Sequence, residues 1–112
     1  MKYEIVATEG FECQLRHLGK KYMSIPNDYE RLLEELLKNP QMGEKLGGNA
    51  RKVRMAITSK NKGKRGGARV ITCNVLINIE NTDIYLLAIY DKGEKDNISS
   101  KEIEILKNIN GL

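Results

Sequence analysis

The hydrophobic period changes across Gly43–Gly48, and that change constrains the fold more than any other feature of the chain. Before it, Phe11, Leu15, Leu18 and Tyr22 recur at helical spacing and predict a helix over about Glu9–Lys21. A second helix is predicted to start at Pro26-Asn27-Asp28, to bury Tyr29, Leu32, Leu33, Leu36 and Leu37, and to stop at Asn39-Pro40. After the Gly43–Gly48 loop the period is two. Val53, Met55 and Ile57 alternate with Lys52, Arg54 and Ala56, which predicts a strand over Arg51–Thr58. That alternation turns the apolar trio to the core and projects Lys52 and Arg54 together from the other face.

The remaining elements follow from the same signals. Tyr3, Ile5 and Ala7 alternate with Lys2, Glu4 and Val6 in an opening strand, Lys2–Thr8. Strands are also predicted over Arg69–Ile79 and Ile84–Tyr90, joined by the turn residues Asn81-Thr82-Asp83. In the last strand Tyr85 and Tyr90 have opposite parity. Ser99 and Glu102 form a capping box, Ile98 staples against Ile103, and Leu106 and Ile109 continue the stripe of a final helix. The order β-α-α-β-β-β-α predicts one compact α+β domain over residues 1–112. Two N-terminal helices and one C-terminal helix clad an antiparallel sheet, whose meander carries a basic face.

Charge is sorted along the chain. Lys45–Ile79 holds nine Lys or Arg residues and no Asp or Glu, although the net charge of the whole chain is only +4. Such segregation points to a polyanion partner, because a concentrated patch attracts phosphate and releases counterions. A composition of 40% hydrophobic and 30% charged residues describes a globular chain of ordinary core size. No apolar run approaches a membrane span, and Met1–Val6 lacks the charged-then-apolar order of a signal peptide, so cytoplasm without membrane attachment is expected.

Metal and thiol chemistry find little support. Cys13 and Cys73 lack a CxxC partner and read as buried free thiols; with a single His17, in a helix away from the basic segment, they cannot furnish a zinc site. No metal or cofactor is expected.

Two segments carry a family resemblance. The first is Arg51-Lys52-Val53-Arg54 followed by Gly63-Lys64-Arg65-Gly66-Gly67-Ala68-Arg69-Val70-Ile71; the second runs from Tyr85 to Ser99 and contains Tyr90-Asp91-Lys92-Gly93-Glu94-Lys95-Asp96-Asn97. Together they resemble the RelE/HigB superfamily of toxins from bacterial type II toxin–antitoxin modules, and within it the HigB-like branch with its GKxGGxR loop and YxKxExxxLS ending. The resemblance implies a RelE-like fold and an endoribonuclease that cuts mRNA in the decoding site of the 30S ribosomal subunit. It also implies inhibition by a cognate antitoxin, in this branch often one with a helix-turn-helix domain. An acidic antitoxin segment is expected on charge grounds.

The residues support a particular style of chemistry. Cleavage through the substrate 2′-hydroxyl requires proton removal, charge stabilisation on phosphorus and neutralisation of the leaving oxygen. The basic segment contains no His and no acid, so cations and substrate positioning must do most of this. Crowding by Arg54 and nearby cations would favour the neutral amine of Lys52, available as a base. The fork of Arg54 suits phosphate oxygens. By resemblance, Lys52, Arg54 and Arg69 match catalytic basic positions, and Lys95 matches a basic residue before the last helix.

Periodicity treats Arg69 differently, because parity groups it with Ile71, Cys73 and Val75. Either it lies beyond the edge of the core, or Gly66-Gly67 introduces a bulge that redirects it. Lys60, Lys62, Lys64 and Arg65, in a flexible loop, are expected to track RNA backbone, and Arg51 and Lys92 are grouped with that contact. Tyr90 lies close enough to Asp91–Asp96 to stack on a base, although a half-buried strand tyrosine is its simpler role. The region that carries a tyrosine in some RelE-type toxins here reads Asn97-Ile98-Ser99-Ser100. Two other readings of the chain stand beside the ribonuclease: a gyrase-blocking toxin like those of the related ParE branch, and a noncatalytic RNA-binding domain.

Overall fold

The computed structural model describes residues 1–112. The elements are β1 (Lys2–Ala7), α1 (Glu9–Lys21), α2 (Ile25–Lys38), β2 (Glu44–Lys45), β3 (Ala50–Met55), β4 (Ala68–Asn78), β5 (Asn81–Asp91) and α3 (Ser100–Ile109). Thr8 caps α1 by accepting the Phe11 N–H, and Glu9 and Glu12 in the first turn with Lys20 and Lys21 in the last complement the helix dipole. Pro26 opens α2 where its missing N–H costs nothing. The Ser99–Glu102 capping box of α3 is formed in both directions.

A five-stranded sheet in the order β1-β5-β4-β3-β2 separates two cores. On one face α1 and α2 bury Phe11, Leu18, Leu32 and Leu36 against Val53, Met55, Ile57, Val70, Ile84 and Leu86. On the other face α3 covers a smaller cluster built from Ala50, Ile71, Cys73, Ala88 and Ile103. The trio Val53, Met55 and Ile57 is buried as its alternation predicts, and Lys52 and Arg54 project from the opposite face. Leu37 departs from the predicted α2 stripe and is half exposed, as is Cys13 from its predicted burial.

The sheet is mixed rather than wholly antiparallel. β3, β4 and β5 form the expected antiparallel meander, but β1 runs parallel to β5, with Ile5 opposite Ile84. Alternation places a strand's faces without giving its direction, and β1 reaches β5 only after both helices have been laid across the sheet. A two-residue strand, β2, also occupies part of the predicted Gly43–Gly48 loop, with Glu44 opposite Lys52.

A bulge at Leu87 resets the parity of β5: Ile71 pairs with Ala88, but Thr72 pairs with Leu86. Tyr85 and Tyr90 therefore pack on the same side, with the α3 core, and not on opposite faces.

Two contacts fix the loops around the sheet's end. Gly67 passes so close to β3 that a Cβ there would lie 2.3 Å from the Met55 carbonyl oxygen, while its own carbonyl accepts the Lys92 N–H at 3.0 Å. Asp91, buried at the end of β5, accepts hydrogen bonds from Tyr22 Oη (2.6 Å), Lys60 Nζ (2.7 Å) and Gly93 N (2.9 Å). Three segments, the end of α1, the loop after β3 and the loop after β5, thus meet on one carboxylate. Burial alone would push the Asp91 carboxyl up, but the bonds from Lys60, Tyr22 and Gly93 outweigh it and hold the group below its ordinary value.

Gly67→Ala should lower the unfolding free energy by about 1–3 kcal/mol in urea titrations, because the methyl must displace backbone. Asp91→Asn should cost about 3–5 kcal/mol at neutral pH by leaving Lys60 without its partner. A carboxyl with a depressed folded pKa stabilises above its unfolded pKa of about 3.9 and loses that contribution as pH falls through the folded value. The difference between wild type and Asp91→Asn in chemical denaturation should accordingly shrink only as pH drops below about 4.

Candidate nucleic-acid interface

The strand register sets the site. Arg54 lies directly opposite Arg69, and Arg69 directly opposite Tyr90, so three side chains form a row across β3, β4 and β5 on the α3 face. Lys52 sits one step along the same face, opposite Ile71. Arg69 thus follows its parity without a bulge, beyond the edge of the α3 core. Two arginines placed directly across a strand pair repel one another, which a fold does not choose for stability.

Arg69 is 4% exposed and has no carboxylate partner. Its guanidinium donates to the carbonyls of Lys64 (3.0 Å), Arg65 (2.9 Å) and Ala68 (3.2 Å). Burial first, and the charge of Arg54 second, lower its pKa from the ordinary value. The group stays charged in an environment that disfavours charge, so an anion brought beside it would be stabilised.

Around this row lies a cleft of about 500 Å³, which also takes in Lys52, Lys64, Lys92, Glu44 and Asp96. Its lining follows β3 from Lys52 to Arg54, past the end of β2. Three lysines in it are ion-paired: Lys52 with Glu44 (3.3 Å), Lys64 with Glu35 (3.0 Å) and Lys92 with Asp96. Lys52 also donates to Asn97 Oδ1 at 3.3 Å. Arg54, exposed at the mouth, has no such partner. Five cations therefore face two lining carboxylates.

The structure brings Lys52, Arg54, Arg69, Lys64 and Lys92 together and leaves the other expected residues elsewhere. Arg51 has the parity of Val53, so it points to the α2 side and donates to Gln41 (2.9 Å). Lys60 is withdrawn into the ion pair with Asp91. Lys62 and Arg65 are exposed on the loop surface.

Lys95 pairs with Glu102 (2.7 Å) and lines a separate groove with Gln14, Ile98 and Leu106. Tyr90 is 8% exposed and packs with the α3 core; its buried hydroxyl lacks a hydrogen-bond partner, and burial raises its pKa. The loop carrying the basic residues is held by Arg69, by Lys60–Asp91 and by Lys64–Glu35, in place of the loose segment its Gly and Lys content suggests.

Sequence reasoning missed the cleft acids Glu44 and Asp96, and Asn97, which accepts from Lys52. Glu44 stands one position before the acid-free segment, and a two-residue strand is too short to show a period. Its neighbour Gly43 carried the only available signal. With φ +100° and a missing Cβ that would lie 2.7 Å from the Lys52 carbonyl, Gly43 brings the chain against β3 and seats Glu44 opposite Lys52.

Comparison with known proteins agrees with this architecture. Residues 28–112 match the family model described as RelE toxin of the RelE/RelB toxin–antitoxin system. Among solved structures, the chain is similar to a double-arginine mutant of the E. coli toxin RelE in its free state, with 14% sequence identity and a TM-score of 0.56. The match covers 86% of this chain and 90% of that one. At this identity the likeness speaks for the fold, and the family match, spanning most of the chain, speaks for descent. The chain belongs to the RelE toxin family, and its place is that of the toxin in a toxin–antitoxin pair.

Proposed function

We propose that this toxin is a ribosome-dependent mRNA endoribonuclease, of the HigB-like branch, that cleaves by attack of the substrate 2′-hydroxyl. The observation that carries the reading is the opposed pair Arg54–Arg69, unpaired by any carboxylate and set in an open cleft beside Lys52. Such a pair fits one phosphate group between two forks, and its charge complements the oxygens that become more negative in the transition state. Arg69 is already held on three carbonyls, so it is preorganised and needs no rearrangement as charge develops. A gyrase-blocking toxin would leave this arrangement without a use.

The rest of the basic surface acts in binding. Lys64 and Lys92 flank the phosphate site, while Lys62 and Arg65 on the outer loop engage RNA backbone and steer association with the ribosome. Lys95, tied to Glu102 outside the cleft, has no part in the chemistry. The antitoxin is proposed to present an acidic segment to the cleft and, following the branch resemblance, to carry a helix-turn-helix domain. The molecule has no helix long and apolar enough to cross a membrane, and cytoplasm is the compartment where ribosomes would be met.

Purified protein should cut a defined mRNA on programmed ribosomes and leave it intact when free. Lys52→Ala with Arg54→Ala should lower the single-turnover rate by about a hundredfold or more. No cleavage by folded wild type, or full activity in the double variant, would overturn the reading; inhibition of gyrase instead would assign the fold to the other class. Lys62→Ala and Arg65→Ala should each flatten the plot of log binding constant against log salt by about 0.7 for single-stranded RNA, with a much smaller effect on the bound-state cleavage rate.

A further inference from the structure

The ribonuclease reading leaves open which groups move the two protons, and the cleft contains an acid that sequence alone did not place there. Glu44 faces Lys52 across the β2–β3 pair, Oε2 to Nζ 3.3 Å, and Lys52 is held from its other side by Asn97. Lys52 Nζ therefore has an acceptor oxygen on each side, one from Glu44 and one from Asn97. An ammonium so held can donate a proton, and the carboxylate beside it can accept one. The geometry points to Glu44 as the general base that takes the 2′-hydroxyl proton, with Lys52 as the general acid that protonates the departing 5′-oxygen.

The step balances. The Glu44 carboxylate accepts the 2′ proton, the freed oxygen pair forms a bond to phosphorus, and the bond from phosphorus to the 5′-oxygen breaks. Its electron pair takes a proton from Lys52. A 2′,3′-cyclic phosphate and a 5′-hydroxyl are released, leaving Glu44 protonated and Lys52 neutral.

Because the two groups are neighbours in the folded protein, the proton passes from one to the other and the starting state is restored. Arg54 and Arg69 serve the phosphate oxygens and exchange no proton. Asp96 is the other cleft acid, but Lys92 holds it through both its carboxylate and its carbonyl oxygen. Glu44 uses only Oε2 in its ion pair, which leaves Oε1 to accept. Its side chain is 67% exposed, so the pair contributes little to stability and substitution there is tolerated by the fold.

The test uses programmed ribosomes with mRNA of two kinds: an ordinary linkage at the cleaved position, or a sulfur in place of the bridging 5′-oxygen. A thiolate leaves without a proton, so the second substrate bypasses the general acid alone. Three proteins are compared after their melting temperatures are shown to agree: wild type, Glu44→Gln and Lys52→Ala. The inference rests on the ribonuclease reading, and wild type failing to cut the ordinary mRNA would sink that reading first.

With wild type active, Glu44→Gln should fall by about a hundredfold or more on both substrates. Lys52→Ala should fall on the ordinary mRNA and recover at least tenfold on the sulfur substrate. Removing a negative charge from a cationic cleft cannot weaken RNA binding, so lost affinity does not mimic the Glu44→Gln result. Three outcomes would overturn the assignment: Glu44→Gln within about threefold of wild type, recovery of Glu44→Gln by sulfur, or no recovery of Lys52→Ala. Recovery of Glu44→Gln would mean that Glu44 only positions Lys52.

Discussion

Arg69 is a buried cation that forms no ion pair with a carboxylate, and the end of the sheet is organised around that fact. A guanidinium taken out of water must have its donors met, and the molecule meets them with the carbonyls of Lys64, Arg65 and Ala68. Those carbonyls belong to the basic loop, so satisfying Arg69 also fixes the loop. The loop can come that close because Gly67 lies against the β3 backbone without a Cβ. Once it is there, Lys64 reaches the cleft and Gly67 receives the Lys92 N–H, which ties in the loop after β5 as well. The loops around the cleft are thus held through the contacts of Arg69 and Gly67.

The other charges of the region divide into two kinds. Lys60 and Asp91 form a buried pair with Tyr22 and Gly93 completing the carboxylate's hydrogen bonds, and this unit holds three chain segments together. Its role is architectural. The pairs at the cleft rim, Lys52–Glu44, Lys64–Glu35 and Lys92–Asp96, are exposed on their acidic sides. Pairs of that kind are weak and exchange partners readily. The cleft is thereby kept from being a bare cluster of cations, whereas Arg54 and Arg69 form no ion pair with a carboxylate.

The RelE match covers residues 28–112 and includes every residue that lines the cleft. The fold likeness to E. coli RelE, at 14% identity, shows that the same arrangement of helices and sheet can be reached by very different side chains. Any chemistry at the cleft depends on this chain's own side chains, among them the acid opposite Lys52.

The sequence by itself determined the order of the helices and the longer strands, the helix ends and the projection of Lys52 and Arg54 from one face of β3. These depend on local spacing: a period of 3.6 or 2, a capping box, a proline at a helix start. It also determined that Arg69 shares a face with Ile71 and Cys73, although not why a cation should be there.

Tertiary structure decided the rest. The parallel direction of β1, the bulge that turns Tyr90 inward, the pairing of Lys60 with Asp91 and the arrival of Glu44 opposite Lys52 all join residues far apart in sequence or seated on an element too short to show a period. Periodicity assigns a side chain to a face. Which residue meets it there is settled by strand register and loop closure, and neither leaves a regular trace along the chain.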